Sequence, residues 1–194
     1  MLTKFFTSFY LGAISLLISS SAQAHMLGTA DSSWLAGFSH PLLGLDHVLA
    51  FLAVGLWAAQ QGGKRRWQLP GAFSLMLLMG ANFGELALPL PHFEVGITLS
   101  LLMIGLLIAG AIVLPARFGL SLISIFALFH GYAHGIEILP EFSSLPYSLG
   151  FMLSSLLLQV IGIGFAGLAQ KLDQPKLLRY SGFAISLTGI WLWN

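Results

Sequence analysis

Apolar residues run in blocks of about 20, separated by short polar or glycine- and proline-containing punctuation, and no strand-like alternation competes with them. Blocks of that length match a ~30 Å hydrocarbon core as helices, whereas membrane strands would be shorter and alternating. They predict helices over about 40–60, 69–89, 95–114, 118–138, 147–169 and 177–193. The boundaries fall at Gln61-Gly62-Gly63, Leu69-Pro70-Gly71, Pro89-Leu90-Pro91, Pro115, Pro140, Pro146 and Pro175. The fold class read from this pattern is an all-α membrane protein, a six-transmembrane-helix bundle. Pro41 suits the first position of a helix, with Ser39 or His40 as its cap, and would mark the outer end of the first one. Gly80 with Gly84, Gly131 with Gly135, and Gly162 with Gly164 and Gly167 read as seams where membrane helices approach closely.

Ahead of the blocks, residues 1–24 hold Lys4, an apolar run from Phe5 to Ile18, and small residues at Ala22 and Ala24. This reads as a secretory signal peptide with an A-x-A cleavage site, the alternative being an uncleaved first helix. Cleavage after Ala24 would leave residues 25–194 as one membrane domain beginning at His25. The amine and imidazole of His25 would then either chelate a metal or stand there incidentally. Lys64, Arg65, Arg66, Arg117, Lys171, Lys176 and Arg179 all fall in the loops of one side. The positive-inside rule therefore puts both mature termini outside the cytoplasm, in a bacterial inner membrane. Trp57, Trp67, Trp191 and Trp193 fall near the expected interfaces, as an aromatic belt would.

Composition agrees: 57% of residues are hydrophobic and 8% charged, against roughly 25% charged in soluble domains. Mean hydropathy is +0.88. The absence of cysteine excludes disulfides, thiolate catalysis and thiolate metal sites. No nucleic-acid partner and no organic cofactor are expected.

Within the apolar blocks stand groups that lipid does not need. His40, Asp46 and His47 open one block, and His130, His134 and Glu137 close another. Each ionisable group at such a depth costs a few kcal/mol even on lenient scales, so each is a functional candidate. His130, His134 and Glu137 are spaced i, i+4, i+7, a single stripe, with His134 about 6 Å and His130 about 12 Å below the outer end. His40 and His47, seven apart, would share a face, with Asp46 turned about a third of the circumference away. Asp46 is then either a direct ligand or the partner of a histidine on another helix. Glu85 either joins the same layer or reaches the headgroups. His92 and Glu94 read as solvated loop residues, and Met76 and Met79 as core filling.

Imidazole with carboxylate suits nickel, cobalt, zinc, iron or copper(II). Such binding needs neutral imidazole and weakens as pH falls. Metal transport is one expected function, and because no G-x-x-x-x-G-K-[ST] loop is present, coupling it directly to ATP would need a partner. The alternatives are an intramembrane zinc-dependent hydrolase with a lipid-like substrate, and a transporter of a metal chelate such as a corrinoid.

His40-Pro41-Leu42-Leu43-Gly44-Leu45-Asp46-His47, followed by seven residues and Gly55, is similar to the H-P-x-x-G-x-D-H-x(7)-G signature of the HupE/UreJ family. His130-Gly131-Tyr132-Ala133-His134-Gly135-Ile136-Glu137 resembles the second stretch of that family, H-G-x-A-H-G-x-E. The resemblance implies a permease importing Ni²⁺ or Co²⁺ and serving hydrogenase or urease maturation. It carries metal-contacting roles onto His40, Asp46, His47, His130, His134 and Glu137.

Overall fold

The computed structural model describes residues 30–138 and 142–192, and every regular element among them is helical. In chain order these are α1 (Ala30–Leu43), α2 (Leu45–Gln61), α3 (Arg65–Glu85), α4 (Phe93–Ala109), α5 (Ala116–Glu137), α6 (Ser144–Lys171) and α7 (Pro175–Leu192). The expected signal peptide at 1–24, as well as His25 and Trp193, lie outside the described residues.

The first expected helix, 40–60, is corrected to a broken pair. Pro41 does not start a helix but sits in the last turn of α1. There its missing N–H and its ring interrupt the ladder of intrahelical bonds. Gly44 is extended at φ −100°, and α2 begins again at Leu45, bent by 82° from α1. Glycine leaves room here rather than supplying dihedral freedom, since an added Cβ would push aside the side chains of Asp46 and His47. Asp46 and His47 therefore stand in the first turn of α2, and the bend, not a seven-residue repeat, sets their relation to His40.

By length and hydropathy, α5 and α6 can each cross a membrane, and α1 with α2 passes as a third, broken span. Among the described residues that makes two or three spans by this measure rather than six. Arg65, Arg66 and Gln68 dilute the start of α3, Lys176 and Arg179 that of α7, and α4 is apolar but has 17 residues. The outer surface is nevertheless that of a membrane protein: Leu75, Phe118, Ile125, Leu145 and Leu187 are all exposed, an apolar perimeter too large for water.

Glycines set the packing. Gly80 and Gly84 of α3 lie against the carbonyls of Leu128 and Tyr132, while Gly131 and Gly135 of α5 lie against those of Leu77 and Ala81, so neither helix has room for a Cβ. At 28 residues, about 42 Å, α6 is long enough to run beside both arms of the broken pair. Gly37 of α1 meets the Tyr147 carbonyl, and Gly55 of α2 meets that of Gln159. Gly162 joins the second seam against Leu52, but Gly164 and Gly167 meet nothing within 4 Å and belong to no seam.

Trp57 is corrected too. It is fully buried rather than part of a belt, and its Nε1 donates to the Ile112 carbonyl at 3.1 Å. That bond belongs to a cluster at one end of the bundle. Gln61 Nε2 also donates to Ile112 at 3.0 Å, Arg65 to the Leu114 carbonyl at 2.6 Å, and Arg179 to the Ala109 carbonyl at 2.8 Å. The opposite ends of these helices carry Asp46, Glu94 and Glu137, so within the helices cationic and anionic side chains are segregated along the bundle, Asp173 in the turn before α7 being an acid at the basic end.

Candidate metal centre

Three helices bring the imidazoles together. The α5 stripe turns His130 and His134 into the protein, 0% and 1% exposed. His40 comes from the last turn of α1 and His47 from the first turn of α2, and the bend brings their ring centroids to 5.9 Å. His134 is the hub, with ring centroids 4.7 Å from His40 and 4.4 Å from His47. His130 lies one turn further in, 6.1 Å from His47.

Glu137 closes the outer side. Its Oε2 is 3.4 Å from both His40 Nε2 and His134 Nδ1. His40, His134 and Glu137 each offer a donor atom, all within 4.8 Å of one another. Ligands about 2.1 Å from a tetrahedral ion stand about 3.4 Å apart, so small side-chain shifts suffice to close the set on one cation.

The partners of the rings show which nitrogens are free. His130 Nδ1 is 2.9 Å from the Phe126 carbonyl, which can only accept, so Nδ1 carries the hydrogen and the unpartnered Nε2 presents its lone pair. His134 Nε2 is buried without a hydrogen-bond partner, and Nδ1 meets only Glu137 Oε2 at 3.4 Å; an unpartnered buried nitrogen costs roughly 1–3 kcal/mol, which a ligated cation would relieve. Asp46 Oδ1 approaches His47 Nδ1 to 2.8 Å as an ion-pair contact without hydrogen-bond alignment. Asp46 thus pairs with its own sequence neighbour rather than with a histidine of another helix. A carboxylate beside Nδ1 favours the proton there and leaves Nε2 for a metal.

Two aromatic residues of the site carry no sequence signal, since an aromatic in an apolar helix reads as core. The Tyr147 hydroxyl is 2.9 Å from His40 Nδ1, and the Phe151 ring lies 4.0 Å from that of His134, centroid to centroid. Glu94 is corrected from a loop residue to the first turn of α4. With Asp46, His47, Thr98 and Glu137 it lines a cavity of about 330 Å³. Six waters take roughly 180 Å³ at ~30 Å³ each, so a fully hydrated ion fits.

His92, in contrast, is exposed, with a left-handed φ of 58° just before α4. Glu85 is exposed, accepts a hydrogen bond from the Ser144 hydroxyl, and lies outside the His40, His134 and Glu137 group. Met76 packs against the core, whereas Met79 is exposed rather than core filling.

The family profile described as "HupE / UreJ protein" matches residues 13–192. Among curated proteins, "Protein HupE" of Rhizobium leguminosarum bv. viciae is 39% identical over 175 residues, covering 90% of this chain and 91% of that protein. No solved structure matches. A profile spanning nearly the whole chain and a full-length relative at this identity make the chain a member of the HupE/UreJ family.

Proposed function

We propose that this chain is a secondary permease that imports Ni²⁺ or Co²⁺ across the bacterial inner membrane in six passes, supplying hydrogenase or urease maturation. The observation that carries the reading is the convergence of His40, His134 and Glu137, from α1 and α5, on a common point at one end of an apolar bundle, with His134 buried, His40 half-buried and Glu137 exposed. A hydrated cation collects in the cavity beside Asp46, Glu94 and Glu137, where the charge is of the opposite sign. It exchanges water for Glu137, His40 and His134, with His47 completing the set, and His130 Nε2 is the next ligand inward. With the histidine end outside, a divalent cation gains roughly 4.6 kcal/mol per 100 mV on moving in, so membrane potential can drive the cycle.

The cavity favours an ion over a chelate. Its volume of about 330 Å³ stands at the bottom of the ~300–1,000 Å³ range that drug-sized ligands occupy, and a corrinoid is larger still. The test is Ni²⁺ influx into proteoliposomes with an entrapped metal-sensitive dye, run beside hydrolysis of lipid amides and esters. Saturable influx without hydrolysis is expected. Hydrolysis without influx would replace the permease by the zinc enzyme.

A further inference from the structure

One polar side chain lies deeper than the histidines, and the proposed site does not use it. Gln159 of α6 is 0% exposed, and neither its amide nitrogen nor its amide oxygen has a hydrogen-bond partner among the described residues. Gln61, also buried, is fully employed: it donates to the Ile112 carbonyl and accepts from the Leu114 N–H and from Arg65. Ser155 shows the local outlet open to a short side chain, donating to the Met152 carbonyl at 2.8 Å. A carboxamide with two donors and an acceptor has no such outlet. Native cores rarely keep an orphan of this kind, and one that persists calls for a functional reason or a partner that comes and goes.

Its position supplies the reason. Phe151, whose ring lies tilted against that of His134, precedes Gln159 by eight residues on α6, which puts Gln159 about 12 Å further toward the basic end. His130 lies about 6 Å in the same direction from His134. Beside His130 stands Phe51, fully buried, with its ring 5.8 Å from that of His130 and 5.9 Å from that of Phe151. One turn beyond Phe51, Gly55 packs against the backbone of Gln159.

We infer that Gln159 is an inner metal-contacting station, whose carboxamide oxygen takes the divalent cation once it leaves His130 and passes the Phe51 ring. The inference rests on the permease reading. A neutral amide oxygen holds nickel or cobalt less tightly than imidazole does. A strong station followed by a weak one lets the ion leave toward the cytoplasm, as conduction requires.

The experiment uses full-length protein in proteoliposomes, with Ni²⁺ as the probe, and compares wild type with Gln159→Leu and Gln159→His. Gln159→Leu removes the orphan at similar volume, so a merely structural glutamine would leave uptake unchanged and stability unchanged or raised. The expected result is uptake reduced about tenfold or more, with calorimetric Ni²⁺ affinity of the outer site within about twofold of wild type. Gln159→His, which installs a tighter ligand, is expected to raise the Ni²⁺ bound per chain and to slow turnover. Gln159→Leu transporting at the wild-type rate, or Gln159→His binding no additional Ni²⁺, would overturn the inference while leaving the permease intact. Wild-type vesicles that take up no Ni²⁺ would remove both.

Discussion

The hydroxyl of Tyr147 lies 2.9 Å from Nδ1 of His40, joining two helices whose participating residues are 107 positions apart in the chain. That contact fixes the His40 ring with its other nitrogen toward Glu137. Tyr147→Phe keeps the stacking on Phe142 but releases the imidazole. Loss of such an outer partner weakens metal affinity by about 10- to 100-fold in known sites, and calorimetric Ni²⁺ titration of the variant is expected to fall in that range.

The two histidines of α5 should fail differently. His134→Ala removes the hub and is expected to abolish Ni²⁺ binding and uptake together. His130→Ala, one turn deeper, should leave equilibrium binding within about threefold while lowering uptake at least about tenfold, or ~1.4 kcal/mol on the barrier. Parallel calorimetry and flux measurements separate the cases, and equal uptake by both variants and wild type would refute the assigned path.

Glu94 touches the cavity rather than the imidazole group, so its part is electrostatic capture. Glu94→Gln is expected to raise the KM for Ni²⁺ uptake several-fold at low ionic strength, with maximal rate unchanged. The difference should shrink in about 0.5 M salt, where screening shortens the reach of the charge to a few Å.

Lowering pH opposes binding. Ligation needs neutral imidazole, so protons and Ni²⁺ compete for the ring nitrogens, and affinity is expected to weaken as pH is lowered. Calorimetry in two buffers of different ionisation enthalpy measures the protons released per Ni²⁺. Affinity that stays constant over the whole pH range in which the protein remains folded would contradict imidazole ligation.

Glycines in and out of the seams provide a stability contrast. In Gly131→Ala the new methyl would overlap the Leu77 carbonyl, and overpacking of this kind costs about 1–3 kcal/mol. In Gly164→Ala the methyl meets nothing within 4 Å, so the better helix propensity of alanine, up to about 1 kcal/mol, remains. Thermal unfolding in detergent is expected to show a lowered midpoint for the first and an unchanged or raised midpoint for the second.

Ionisable groups made the residues of the candidate metal centre legible in the sequence, because an apolar block does not keep them idly. The stripe of His130, His134 and Glu137 could be read directly, since helical periodicity holds along the whole of α5. The place of His40 could not. Pro41 fits the start of a helix as well as its last turn, and Ala30 to Ser39, with its serines and Asp31, is too short and polar to be read as part of a span. Only the contact between α1 and α6, through Gly37 and Gly150, decides for the last turn. Tyr147 and Trp57 were illegible for a related reason: an aromatic in an apolar run announces burial but not the polar atom it will meet.

The carbonyls of Ala109, Ile112 and Leu114 are gripped by Arg179, by Trp57 and Gln61 together, and by Arg65. Arg65 also holds the Gln61 side chain, so the bonds of Trp57, Gln61 and Arg65 share members and form one latch between α2, α3 and the turn before α5, with the Arg179 bond beside it. Because Gln61 and Ile112 each serve more than one of these bonds, moving the six-residue turn breaks several of them together. On the permease reading, a route out through that end is expected to open against all of them at once.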